Sequence, residues 1–264
     1  MLFFDYLAWA VLNDLTDGIH ALMKTDYFLG CSGFYYNHWR RVFYPEKLAK
    51  TEWLPYYADH FNTVEVNNTF YRFPNEKMLQ GWYQKTPVDF RFTLKANRTI
   101  THTRKFNNTE QLTANFYKLA HLLGEKLSCV LFQLPPFIHK NMELLEKIAG
   151  QVDLKVTNVV EFRHGSWWDS EVYDFMEKKD LVFCTVSASE LPEKLVETGY
   201  DVYVRFHGKD GLYQHFYPEE ELKDWAKKIK QANARRVFCY FNNDVNANAV
   251  KNCLTLKKLL EKEA

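Results

Sequence analysis

Eight short apolar runs, rich in β-branched and aromatic residues, recur along the 264 residues and constrain the fold more than any other feature. They are Tyr27–Ser32, Thr63–Asn67, Phe90–Lys95, Leu127–Gln133, Asn158–Phe162, Leu181–Thr185, Val202–Phe206 and Val237–Phe241. Most are continuous and not alternating, as strands covered on both faces are. Amphipathic stretches fill the intervals: Thr51–His60, Asn75–Lys85, Thr109–Gly124, Asn141–Gly150, Asp169–Lys179, Pro218–Ala232 and Asn246–Glu261. Asn75 and Thr109 stand where helix N-caps belong. Ser187–Thr198 contains Pro192 and is expected to be short or irregular. Eight β–α units predict an α/β fold, a single (β/α)8 TIM-like barrel. A doubly wound open sheet is the alternative, but no G-x-G-x-x-G follows the first strand and no P-loop is present. No linker divides residues 23–264, which form one TIM-like barrel domain. Residues 1–22 are apolar and helix-compatible and read as a short N-terminal extension, with Met23 as an alternative start.

Composition narrows the function classes. Hydrophobic residues make up 47% and charged residues 25%, as in soluble globular proteins. A domain of this length buries roughly 70–75% of its unfolded surface and needs no disulfide or structural metal to fold. The five cysteines include no C-x-x-C pair and read as small buried hydrophobes. Lys plus Arg number 34 against 33 Asp plus Glu, so the chain as a whole does not attract nucleic acid or membranes, and any anion site must be local. No apolar stretch approaches a membrane span, and Met1-Leu2-Phe3-Phe4-Asp5 lacks the basic start of an export signal. A cytoplasmic protein without a membrane partner is expected, with the sequons at Asn67, Asn97 and Asn107 unmodified.

Chemistry in such a barrel sits at the carboxyl ends of the strands. Here the apolar runs end in polar residues: Glu65 and Asn67, Lys95, Gln133, Glu161 with Arg163 and His164, Arg205 with His207, and Tyr240 with Asn242 and Asn243. The two-residue period of a strand puts Glu161 and Arg163 on one face with Phe162 opposite. The same rule pairs Arg205 with His207 around Phe206, and Tyr240 with Asn242 around Phe241. If those faces point inward, two carboxylates, two guanidiniums, an imidazole, a lysine and three amides converge on one mouth. An internal Arg–Glu network that merely closes the barrel would use the same residues.

The segments Gly30 to Phe34, Trp39, Phe43 to Pro45, Phe61 to Asn67, Phe70 to Arg72 and Pro74 resemble the start of the YecE-like proteins (domain of unknown function 72). The likeness continues through Phe92 to Lys95, Ile100 to His102, Leu131 to Pro136, Glu161 to His164, Ser166-Trp167, Val204 to Gly208 and Tyr240 to Asn243. It implies a TIM-like barrel and no settled activity. Relatives often carry an Asp after the sixth strand, whereas this chain has Cys184-Thr185-Val186-Ser187.

The residues support a hydrolase-like enzyme acting on a small anionic or phosphorylated ligand. In that reading Glu65, Glu161 and His207 are catalytic, as general acid or base. Arg163 and Arg205 clamp the anion, Lys95 adds charge, and Gln133, Tyr240, Asn242 and Asn243 position the substrate. No cofactor is expected; a zinc or manganese variant would draw on Glu65, His102, Glu161, His164 and His207, without a supporting spacing motif. A nucleic-acid-binding protein or nuclease is the second reading. It rests on Arg91, Lys95, Arg98, His102, Arg104 and Lys105, and on aromatics mixed with cations from Phe34 to Arg41. Carbohydrate chemistry is the third, with Tyr35, Tyr71, Trp167 and Trp168 as platforms and Glu65 and Glu161 as the carboxyl pair. Arg205→Ala or Glu161→Gln is expected to abolish function with little loss of fold. The loop from Asn97 to Asn108 is a candidate lid.

Overall fold

The computed structural model describes residues 24–211 and 213–261; the expected extension, residues 1–22, lies outside them. All eight strands are present: β1 (Asp26–Cys31), β2 (Thr63–Val66), β3 (Arg91–Lys95), β4 (Leu127–Gln133), β5 (Thr157–Glu161), β6 (Leu181–Ala188), β7 (Asp201–Gly208) and β8 (Arg236–Phe241). Every ladder is parallel, in the order β1-β8-β7-β6-β5-β4-β3-β2. The helices between them are α1 (Trp53–Ala58), α2 (Asn68–Tyr71), α3 (Glu76–Gln84), α4 (Glu110–Ala120), α5 (Met142–Ala149), α6 (Ser170–Lys178), α7 (Glu219–Lys230) and α8 (Asn248–Glu261). This is the TIM-like barrel that the periodicity predicts.

Local chemistry starts several helices where expected. Asn75 Oδ1 accepts from Met78 N–H, Asn141 Oδ1 from Leu144 N–H, and Asp169 Oδ1 from Glu171 N–H. Thr109 departs from this: its hydroxyl donates to Gln151 Oε1 at 2.7 Å and does not cap α4. Between β6 and β7 no helix forms. Pro192 has no N–H to give a helix, and side chains there satisfy backbone groups instead. Thr185 Oγ1 accepts from Val196 N–H, and Thr198 Oγ1 accepts from Phe183 N–H while donating to Leu181 O.

The barrel interior holds Cys129, Leu131, Val159, Val182, Cys184, Val186, Tyr203, Phe238 and Tyr240. A larger apolar shell lies between strands and helices. Phe162 stacks on Trp167 at 4.2 Å and Phe206 on Phe241 at 4.3 Å in that shell. The alternation argued from sequence therefore holds, and the polar neighbours of these rings point inward. All five cysteines are buried free thiols.

The seam between β1 and β2 carries no strand ladder. Two side chains bridge it. Asn62 accepts from Leu29 N–H at 3.1 Å and donates to Tyr27 O at 2.7 Å. The Tyr57 hydroxyl, from α1, accepts from Cys31 N–H at 2.7 Å and donates to Thr63 O at 3.0 Å. A Cβ on Gly30 would lie 2.1 Å from Thr63 O, so only glycine allows this approach. Tyr57→Phe would strand a buried donor and a buried acceptor at once. It is expected to lower stability by about 1–3 kcal/mol in urea denaturation, and a change under about 0.5 kcal/mol would show that the hydroxyl does not close the seam.

Candidate functional site

Arg205 is the centre of the inward-facing cluster. It is fully buried, and its two arms reach different strands. One terminal nitrogen donates to Glu65 Oε1 of β2 at 2.6 Å, and the other donates to Glu161 Oε2 of β5. Glu65 also accepts from the Ser32 hydroxyl at 2.7 Å and the Tyr203 hydroxyl at 2.6 Å. Burial alone would push the Glu161 carboxyl up. Arg163, Arg205 and His207 outweigh it and hold Glu161 well below the ordinary range.

His207 Nε2 lies 3.2 Å from Glu161 Oε1, and Asn242 Nδ2 lies 3.1 Å from His207 Nδ1. An ionised carboxylate can only accept, so Nε2 carries the proton and Nδ1 accepts from Asn242. Burial, then Arg163 and Arg205, lowers the His207 pKa to about 3, so its ring is neutral at pH 7. Lys95 donates to Gln133 Oε1 at 2.6 Å and sits 4.4 Å from the Phe70 ring centre. Burial, then Arg205, lowers its pKa to about 8. Arg163 pairs through Nε with Glu161, its only ion-pair partner among the described residues, and is partly exposed.

At pH 7 Arg205, Arg163 and Lys95 face Glu65 and Glu161, which leaves one excess positive charge. Lys95, Gln133, Arg163 and Asn242 retain contact with solvent, whereas Glu65, Glu161, Arg205 and His207 form a closed floor beneath them. Asn242 also lines a cavity of about 590 Å3 with His38, Val42, Tyr213, Asp244, Val245 and Asn246.

Eight of the ten expected site residues thus meet at one mouth, and two do not face it. The Tyr240 hydroxyl lies deeper in the barrel, against Thr63 Oγ1 and Thr93 Oγ1 at 2.6 and 2.9 Å. Asn243 falls on the opposite strand face from Asn242 and bonds His215 O and Asn252 Oδ1 of α8. Ser32 and Tyr203, which complete the Glu65 shell, were not expected. Tyr203 was legible from the alternation, two residues before Arg205 on the same face.

Of the five side chains that a zinc or manganese variant would use, Glu65, Glu161 and His207 lie in the cluster, where Arg205 holds both carboxylates, while His102 bonds Thr101 Oγ1 at 2.8 Å and His164 stacks on His139 at 3.8 Å. Among the described residues no three His, Cys, Asp or Glu side chains gather to hold an ion. Of the four sugar platforms Trp167 is fully buried, whereas Tyr35 and Tyr71 are exposed, and Arg205 lies between the carboxyl pair Glu65 and Glu161. Of the aromatic and basic stretch near the N-terminus, Trp39 is buried and Arg41 pairs with Glu46. Arg91 stands at the amino end of β3, away from Lys95. The loop expected to be a lid is a tethered wall. It opens with a π-helical turn at Thr99–Thr103, and Phe106 is buried 5.6 Å from Phe132. Gln151 Nε2 donates to Phe106 O at 3.0 Å.

Arg205 therefore helps hold the barrel mouth together, so Arg205→Ala is expected to cost stability, unlike the sequence-based expectation that it would spare the fold. Removing it leaves Glu65 buried without a cation and Glu161 with Arg163 alone. Arg205→Met is expected to destabilise the protein by about 3–5 kcal/mol in urea denaturation, and a stable variant would show that the cluster tolerates unpaired charge.

Among the described residues no helix is long and apolar enough to cross a membrane. The model of the family "Protein of unknown function DUF72" matches residues 28–264. UPF0759 protein YunF of Bacillus subtilis (strain 168) is 29% identical over 257 residues, covering 83% of this chain and 90% of YunF. UPF0759 protein YecE of Escherichia coli (strain K12) is 34% identical over 109 residues, 41% of this chain and 40% of YecE. A crystal structure of a DUF72 family protein from Thermotoga maritima superposes with a TM-score of 0.83 at 30% identity, covering 89% of this chain and 99% of that one. A DUF72 family protein from Enterococcus faecalis shares the fold at 21% identity, with a TM-score of 0.78 over 89% of this chain and 95% of its own. The chain belongs to the DUF72 family, the YecE-like group of TIM-like barrels.

Proposed function

We propose that the protein is an enzyme of hydrolytic type that acts on a small anionic or phosphorylated substrate at the carboxyl ends of the barrel strands. The excess positive charge of the cluster carries this reading. Buried charge is costly unless it is balanced, and the unbalanced cation sits where Lys95 and Arg163 meet solvent. Arg163 offers the terminal nitrogens of its guanidinium to the anion, and Lys95 offers a point charge beside it. Gln133 and Asn242 supply amides to orient the ligand.

The proton chemistry falls to Lys95. Glu161 is held ionised by Arg163 and Arg205 and does not serve as an acid, and both oxygens of Glu65 are taken up by Arg205, Ser32 and Tyr203. His207 is neutral at pH 7 and its Nε2–H is committed to Glu161. A lysine lowered to about 8 is protonated at neutral pH, yet close enough to release its proton to a leaving oxygen. Arg205 positions Glu161, which in turn positions Arg163 and His207. The scheme uses no metal.

Inorganic phosphate is the simplest probe. Titration calorimetry at pH 7 is expected to show binding that weakens at least about tenfold in Arg163→Ala, the loss of one charge-assisted contact. Equal affinity in Arg163→Ala and Lys95→Met would remove both residues from the site. The sign of the pH dependence follows from the lowered lysine. The charged form exists below about 8 and is lost above it, so the affinity advantage of wild type over Lys95→Met should hold through neutrality and shrink above that pH, the ionisation of phosphate itself being common to both proteins.

A further inference from the structure

The charges around the mouth are unevenly divided. The connections after β2, β3, β4 and β5 carry Arg72, Arg98, Arg104, Lys105, Lys140 and Arg163. The one acidic residue within those connections is Asp169, which caps α6 and pairs with Lys140 at 3.0 Å; the helix first turns that open on the same face add Glu76, Glu110, Glu143 and Glu171, the last also pairing with Lys140 at 2.7 Å. The connections after β1, β6, β7 and β8 hold Arg40, Arg41, Lys47, Lys50, Lys194 and Lys209 against Glu46, Glu52, Glu190, Glu193, Glu197, Asp210 and Asp244. Lys140 and Arg163 are paired, whereas Arg72, Arg98, Arg104 and Lys105 stand on the connections after β2 and β3, which hold no acidic residue, beside Lys95.

Exposed aromatic rings accompany them. Tyr71, next to Arg72, is 72% exposed and Phe137 is 65% exposed. The Lys105 ammonium lies 5.0 Å from the Phe137 ring centre. The β3 connection that presents Arg98, Arg104 and Lys105 is also built to stay in place. Lys105, Phe106 and Asn108 adopt left-handed backbone conformations, which cost energy for non-glycine residues. The buried Phe106 ring, the Gln151 hydrogen bond to its carbonyl and the Lys147 bond to Asn107 Oδ1 at 2.9 Å hold the loop in that shape.

We infer that this half-face binds a single-stranded nucleic acid, with the backbone tracking over Arg72, Arg98, Arg104 and Lys105 and bases stacking on Tyr71 and Phe137. Four cations spread over the two connections after β2 and β3 exceed what one small anion can use, and they suit a chain with a charge on every unit. Unpaired bases are needed because rings standing clear of the surface can only stack on exposed base faces. The inference rests on the anion site at Lys95 and Arg163, and it makes the group held there a phosphodiester of the bound strand.

Fluorescence anisotropy with a labelled oligo-dT or oligo-U of about 16 nucleotides tests it. If about four phosphates are neutralised, affinity should fall about 50-fold between about 50 and about 200 mM salt. The triple variant Arg98→Glu, Arg104→Glu, Lys105→Glu should weaken binding at least about tenfold at the lower salt. Tyr71→Ala and Phe137→Ala, which keep every charge, should each weaken it about fivefold or more. The pair Lys227→Glu, Lys228→Glu on α7, on the barrel's flank, should change nothing. No oligomer binding at low salt, equal loss in the α7 pair, or preference for a duplex of the same length would overturn the inference. Phosphate titration of the same variants keeps the two readings apart. Phosphate binding that survives the triple variant while the oligomer is lost supports both. Phosphate binding in a wild-type protein that ignores the oligomer leaves the small-anion site and removes the strand.

Discussion

The guanidinium of Arg205 between Glu65 and Glu161 is the interaction on which the mouth of the barrel depends. It draws β2, β5 and β7 to a common centre. Each partner needs the others: the carboxylates could not be buried without the cation, nor the cation without both carboxylates. Ser32 and Tyr203 take up the remaining acceptor capacity of Glu65. Beside Glu161, His207 donates to Oε1 and Arg163 forms an ion pair. A fork with two arms in one plane suits this task, and a lysine, with one point of charge, does not.

That closure separates two kinds of charged residue. Those on the floor are spent on each other and set the geometry. Those above it, Lys95 and Arg163, are only partly compensated and meet solvent. The same separation explains the pKa pattern. His207 is driven to its neutral form by burial beside two guanidiniums, and Lys95 is lowered for a related reason while remaining charged at pH 7. The proton chemistry proposed for this site therefore rests on the lysine.

The barrel itself is closed less uniformly than its strand count suggests. Seven strand pairs are joined by ladders, and the eighth junction is joined by Asn62 and the Tyr57 hydroxyl. Just above this seam Ser32 reaches Glu65, so the side-chain closure of the wall and the charged floor are continuous. Arg72, Arg98, Arg104 and Lys105 stand on the connections after β2 and β3. Scaffold, floor and charged rim are thus successive layers along the same strands.

Much of this was written in the residue order. Continuous apolar runs at regular spacing determined parallel strands covered on both faces, and the two-residue alternation around Phe162, Phe206 and Phe241 determined which polar groups face inward. Both follow from strand geometry, which is local. Which inward groups consume one another was decided only by the tertiary structure. Arg205 meets Glu65 across 140 residues of chain, and no local rule says whether two such charges will pair or leave room for a ligand. The same applies to Tyr240, one layer too deep, and to the loop anchored by Phe106, whose polar composition hid a buried ring. Sequence order fixes direction along a strand. Height in the barrel and distance across it depend on how all eight strands stagger together.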